Sequence, residues 1–192
     1  MIKELVIGGL LAGVVCGCSN MQPAALPSQP APPAADGKLQ IRNNAASLLS
    51  DLLKQEQNVG KVLIIKDASP RIAGTIKLIA ATAAAHEREL EEMAAKDPAL
   101  ILTALDLPPG EVAAREGTAT TTKHALLFSS SSNFEFNLLY SQAQAESYGW
   151  HLAAVAASNC SQPKEAQVFN TISQTMERLN HEVLDEMRAL NK

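Results

Sequence analysis

The chain is poor in aromatic residues: one Trp, two Tyr and four Phe among 192 residues, or 4%. A β-sandwich draws more heavily on Val, Ile, Thr and Tyr, so the bias toward Ala and Leu favours packed helices. No run of 18 apolar residues occurs, and no membrane-spanning helix is expected in the mature protein. A basic excess is missing as well. Lys and Arg total 16 against 20 Asp and Glu, a net charge of −4, and a mildly acidic chain without a basic cluster argues against nucleic acid as a partner. No phosphate loop, nucleophile elbow, paired-cysteine metal motif or zinc-protease motif is present. What the chain does have is 46% apolar residues, enough to bury the core of one domain of ordinary size.

Its three cysteines divide by position. Met1–Glu4 is a short polar start carrying Lys3, and Leu5–Gly17 is an apolar run too short to span a bilayer but right for a signal-peptide core. The run ends in Val15-Cys16-Gly17-Cys18, which resembles the bacterial lipobox: a branched apolar residue, a small residue directly before the cysteine, then the cysteine. Cys18 fits that pattern and Cys16 does not, because Val15 stands where a small residue is needed. The resemblance implies cleavage before Cys18 and a lipidated N-terminal cysteine, with residues 1–17 removed. Several acyl chains, at about 0.8 kcal/mol per buried methylene, anchor stably where one would not. Ser19, rather than Asp, follows the cysteine and points to the outer membrane, with the domain facing the periplasm. Cys160 is then left alone in the mature chain, with no intramolecular partner, and burial is its expected state. Residues 18–38 form a Pro/Ala-rich tether with Pro23, Pro27, Pro30, Pro32 and Pro33, and residues 39–192 form the folded domain.

Within that domain the organising stretch is Ile72–Met93. Ile72, Ile76, Ile79, Ala83, His86, Leu90 and Met93 alternate steps of four and three, which puts all seven on one stripe of an α-helix. His86 is the only one whose burial carries a polar cost. The spacing predicts helices near 39–66, 70–96, 133–158 and 163–190. Ser69 is placed to cap the second, with Pro70 in its first turn. The inward residues of the first are expected to be Ile41, Ala45, Leu48, Leu52, Glu56, Val59 and Leu63. Those of the third are Phe136, Tyr140, Ala143, Ser147, Trp150, Ala154 and Ala157. Those of the fourth are Phe169, Ile172, Met176, Leu179, Val183 and Leu190. Asp97-Pro98 ends the second helix and opens a short helical piece through Leu105. Residues 107–133, with Leu107-Pro108-Pro109-Gly110 and hydroxyl runs flanking His124–Phe128, read as a long irregular crossover carrying one short helix. The fold class is all-α: a four-helix bundle with a long crossover between helices 2 and 3.

His86 late in the second helix, Leu107-Pro108, Phe136 with Tyr140 opening the third, and His181 in the fourth together resemble a family of bacterial envelope proteins of unknown function, described as ferritin-like outer-membrane proteins. The resemblance covers roughly residues 48–190 and implies a ferritin-like bundle. It departs on the third helix, where Tyr148 stands in place of the family's histidine and His151 follows three residues later.

A ferritin-type di-iron site needs a glutamate three residues before a histidine on two helices. That pair occurs nowhere: Glu177 and His181 are four apart, and His86 precedes Glu89. On the helical wheel His181 points away from its own apolar stripe. Glu56 and His86 both sit on inward stripes, but an axial gap of roughly 9 Å separates them at 1.5 Å per residue. The metal candidates are therefore His86, Glu56, Glu89 and His181, without a complete set. Glu87, Glu89, Glu91 and Glu92 around Arg88 read as a solvated face. His124 lies among hydroxyl residues with no acid partner in place. The expectation is a lipid-anchored, non-enzymatic binding or interaction module of the cell envelope, with no cofactor. The alternative is a metal-binding or redox protein using His86 with carboxylates.

Overall fold

The computed structural model describes residues 35–103, 107, 109–128 and 130–190. The expected signal segment, Cys16, Cys18 and the tether up to residue 34 lie outside the described residues. Every regular element among the described residues is helical. They are α1 (Ala35–Glu56), a 3-10 helix (Val59–Ile64), α2 (Pro70–Lys96), α3 (Pro109–Phe128), α4 (Ser131–Ser158) and α5 (Pro163–Leu190). Prolines open α2, α3 and α5, where the missing N–H is one that a helix leaves unpaired anyway.

Three expectations on these elements need correction. The first helix starts at Ala35, inside the expected tether, and ends at Glu56; Val59–Ile64 tightens into a 3-10 helix. Residues 98–103 form no helix. The crossover is not irregular, because α3 runs for 20 residues through the Thr-rich segment. Its Ala, Glu and Arg residues favour helix, and Thr118 returns its hydroxyl to the Ala114 carbonyl, so β-branched residues are accommodated on an exposed surface.

The four long helices enclose a common interior, α1 against α2 and α4, and α5 against α4 and α2. Side-chain bonds fix their directions. Arg42 near the start of α1 meets Asp97 at the end of α2 and Glu165 at the start of α5. At the other end Arg71 of α2 meets Glu186 of α5, and the Ser69 N–H donates to Glu135 of α4. Each of these four helices is thus antiparallel to the two of them it packs against, and α2 runs parallel to α4. The link from α2 to α4 must therefore traverse the full length of the molecule. At about 1.5 Å per residue, α3 supplies roughly 30 Å of that path while packing on α4.

All seven residues of the Ile72–Met93 stripe are buried, as their spacing predicts. On α5, Phe169, Ile172, Met176, Leu179 and Val183 are buried and Leu190 is exposed. Two other stripes are rotated from expectation. On α1 the buried face is Arg42, Asn43, Ala45, Ala46, Ser47, Leu49, Ser50 and Leu53, with Ile41 outside. On α4 it includes Phe134, Leu138, Leu139, Gln142, Ala143, Glu146, Leu152, Ala153 and Ala156, while Phe136 and Tyr140 stack on each other at the surface. Ser69 holds the N-cap position of α2, but its side chain makes no capping bond.

Candidate functional site

The apolar interior falls into two clusters. One gathers Leu49 and Leu53 of α1, Ala83 and Leu90 of α2, Leu152 and Ala153 of α4, and Phe169, Ile172 and Met176 of α5. The other gathers Ile72, Ile76 and Ile79 of α2, Phe134, Leu138 and Leu139 of α4, and Leu179 and Val183 of α5. Between Leu53 and Val59, and between Ala143 and Leu152, the chain places Glu56 and Glu146. A Cβ on Gly149 would run into Leu52 and Met176, so α4 lies against α1 and α5 without room for a side chain there. In antiparallel register, one turn from that contact sets Glu56 of α1 against Glu146 of α4.

Burial first, and then the Glu56 charge, pushes the Glu146 carboxyl up from 4.5 to about 8. Burial pushes Glu56 up to about 7, partly offset by a hydrogen bond that the Gln142 amide donates to it. Gln142, one turn before Glu146 on α4, is itself buried. Asn180 of α5 closes the layer by donating to the Ala143 carbonyl at 2.7 Å. Glu146 and Gln142 were not singled out from sequence. The signal that points to them is the small-residue series Gly149, Ala153, Ala156, which marks the close-packed face and carries both on its extension.

The expected metal candidates do not converge. His86 is buried on α2, and its Nδ1 lies 3.0 Å from the Glu89 carboxylate on the same helix, while its Nε2 is buried without a partner. Glu56 belongs to the acidic layer, and His181 is exposed on α5. Among the described residues no three His, Cys, Asp or Glu side chains gather as a metal-binding group. Glu87 is not on a solvated face. It is 4% exposed, accepts the Ser50 hydroxyl at 2.9 Å and pairs with Lys54 at 3.0 Å across the α1–α2 contact. His124 is exposed and lies against Phe128.

The end of the molecule where α1 begins carries a third polar group. Buried Arg42 pairs with Asp97 at 3.2 Å and Glu165 at 2.9 Å. The Ala99 N–H, and then Arg42, hold Asp97 below its ordinary value, whereas burial and the neighbouring Asp97 raise Glu165. Half-buried Cys160 is close enough to feel both acids, and burial is the main cause that lifts its thiol to about 11. A groove of about 370 Å³ opens beside this network between α2 and α5, with Met93 and Val168 in its lining and Glu89, Glu92, Lys96 and Lys164 around it. Comparison with protein-family models, curated proteins and solved structures finds no match to this chain.

Proposed function

We propose that this chain is a lipid-anchored protein of the bacterial cell envelope, held at the outer membrane and facing the periplasm. In this reading its folded part is a ferritin-like four-helix bundle that works as a binding module, not an enzyme. The antiparallel neighbours and the long α2–α4 link support the bundle topology. The observation that carries the binding role is the groove between α2 and α5. Its volume suits a small ligand or a few side chains of a peptide. Met93 and Val168 offer apolar contact, and the four carboxylates Glu89, Glu92, Asp97 and Glu165 exceed Lys96, Lys164 and the Arg42 that pairs with two of them by one negative charge. That balance favours a basic, amphipathic ligand.

Calorimetric titration with a basic amphipathic peptide and with its acidic counterpart tests this. The basic peptide should bind more tightly, and Glu92→Lys should weaken it; equal affinities for the two peptides would remove the groove from consideration. The anchor is tested separately. Cys18→Ser should leave an unprocessed precursor that takes up no labelled fatty acid, whereas loss of label only in Cys16→Ser would move the site.

A second reading, a metal or redox role for His86, is favoured by one geometric detail. Glu89 holds Nδ1, which leaves the Nε2 lone pair buried and unused, the arrangement in which a carboxylate orients a ligating imidazole. Metal analysis of protein purified without chelator or affinity tag checks it. A stoichiometric transition metal lost in His86→Ala would favour this role over the groove.

A further inference from the structure

The acidic layer is used by neither the groove nor His86. Three of its oxygens, Glu56 Oε2, Gln142 Oε1 and Glu146 Oε2, are buried without a hydrogen-bond partner. A buried polar atom left unpaired costs about 1–3 kcal/mol, and more if charged. The other unpartnered buried atoms, on Arg42, His86 and Glu87, stand one to a site, whereas this layer gathers three. All three orphans are acceptors. The bonds of the nearby donors run from the Gln142 amide to Glu56, from the Asn180 amide to the Ala143 carbonyl and from Lys54 to Glu87, and none reaches these three oxygens. From α2 the Ser50–Glu87 bond and the approach of Gly60 to Ala80 bracket the same level, and the buried residue between them is Ala83. What is missing from the layer is positive charge.

We propose that Glu56, Glu146 and the Gln142 side-chain oxygen form a buried binding site for one hard divalent cation of the Ca²⁺ and Mn²⁺ class. Two carboxylates balance a charge of two. An oxygen-only donor set with no thiolate or imidazole suits hard ions and lacks the nitrogen and sulfur ligands that Zn²⁺ and Cu²⁺ sites use. Carboxylates that bind through both oxygens, an amide oxygen and one or two waters reach the coordination number such ions take. Gln142 is 2% exposed and Glu146 is 2% exposed, so neither is a surface acid that collects counter-ions. With no cation bound, burial at both residues, and at Glu146 the Glu56 charge as well, favours the neutral carboxyls.

The test is titration of the full chain, freed of metal by chelator and dialysed, above the pH of about 8 at which Glu146 ionises. MnCl₂ and CaCl₂ are added in separate calorimetric runs, with the manganese EPR signal as a second readout. One ion per chain should bind, raise the thermal midpoint, and be displaced by the other ion. Glu146→Gln and Glu56→Gln keep the side-chain volume and should each lower affinity by more than about tenfold, equivalent to about 1.4 kcal/mol. Gln142→Leu should weaken binding less, and His86→Ala should leave it unchanged. Absence of saturable binding by the wild-type chain overturns the proposal, and that result needs no variant to fold. Binding that persists at full affinity in both carboxylate variants overturns it too, as does a preference for Zn²⁺ that depends on His86. None of these outcomes touches the groove, whose peptide titration stands apart.

Discussion

Gly149 and Gly74 are both helical glycines, and their surroundings give them opposite expected responses. A Cβ at Gly149 meets the ends of buried Met176 and partly buried Leu52, whereas nothing lies within 4 Å of the corresponding position at Gly74. Gly149→Val should destabilise by about 1–3 kcal/mol through overpacking. Gly74→Ala should stabilise by about 0.5–1 kcal/mol, since it only removes backbone freedom from an exposed helix. Urea denaturation of the pair reads both signs, and a stabilised Gly149→Val would deny the close approach of α4. Ile79 is fully buried and Glu91 exposed. Ile79→Ala should therefore cost about 2–5 kcal/mol and Glu91→Ala under about 0.5 kcal/mol. At this scale the sequence was legible where apolar residues alone fill a face, and illegible where polar ones do. Glu87 read as solvated because it stands among Arg88, Glu89 and Glu91, yet Ser50 and Lys54 compensate its burial from another helix. No local pattern carries that information.

Helix by helix, α2 and α5 could be read from their spacing because each has one apolar face and a charged opposite face. On α1 and α4 that contrast is blurred. Arg42, Asn43, Ser47 and Ser50 face inward on α1, while on α4 Phe136 and Tyr140 face solvent and Gln142 and Glu146 are buried. The apolar stripes drawn through Ile41 and through Phe136 were displaced for that reason. The acids of the layer were half legible: half-buried Glu56 as an inward intruder, buried Glu146 not at all. The crossover was misjudged because Thr-rich segments favour extended backbone, while here the span between parallel helices is bridged by a helix. None of the described side chains of α3 is fully buried, and its main contact is with α4. Its amides should exchange with solvent faster than those of α2 by several orders of magnitude, because opening it exposes little apolar surface. Equal protection of α2 and α3 in hydrogen-exchange mass spectrometry would mean that α3 is part of the cooperative core.

For the molecule as a whole, the acidic layer sets the sign of the pH dependence. Glu56 and Glu146 ionise near 4.5 in the unfolded chain and at about 7 and about 8 when folded. Below 4.5 both states are neutral at these groups and their full contribution is present. Between 4.5 and about 8 the folded chain retains protons that the unfolded chain has released, so stability falls as pH rises. At about 1.4 kcal/mol per tenfold change in proton affinity, the loss for the pair is on the order of several kcal/mol. Asp97, held low, acts in the opposite sense only in more acidic solution. Denaturation in chelator across this window should show the decline in the wild-type chain and a flatter profile in Glu146→Gln; identical profiles would place Glu146 in solvent. The same layer has a consequence for assembly of the fold. Slide α1 along α4 by two turns and apolar faces would still meet, but Glu146 would press on Leu49 and Glu56 on Leu139. The two acids thus act as an alignment key: an interior of leucine and alanine alone would accept several offsets, and this one admits a single seating of α1.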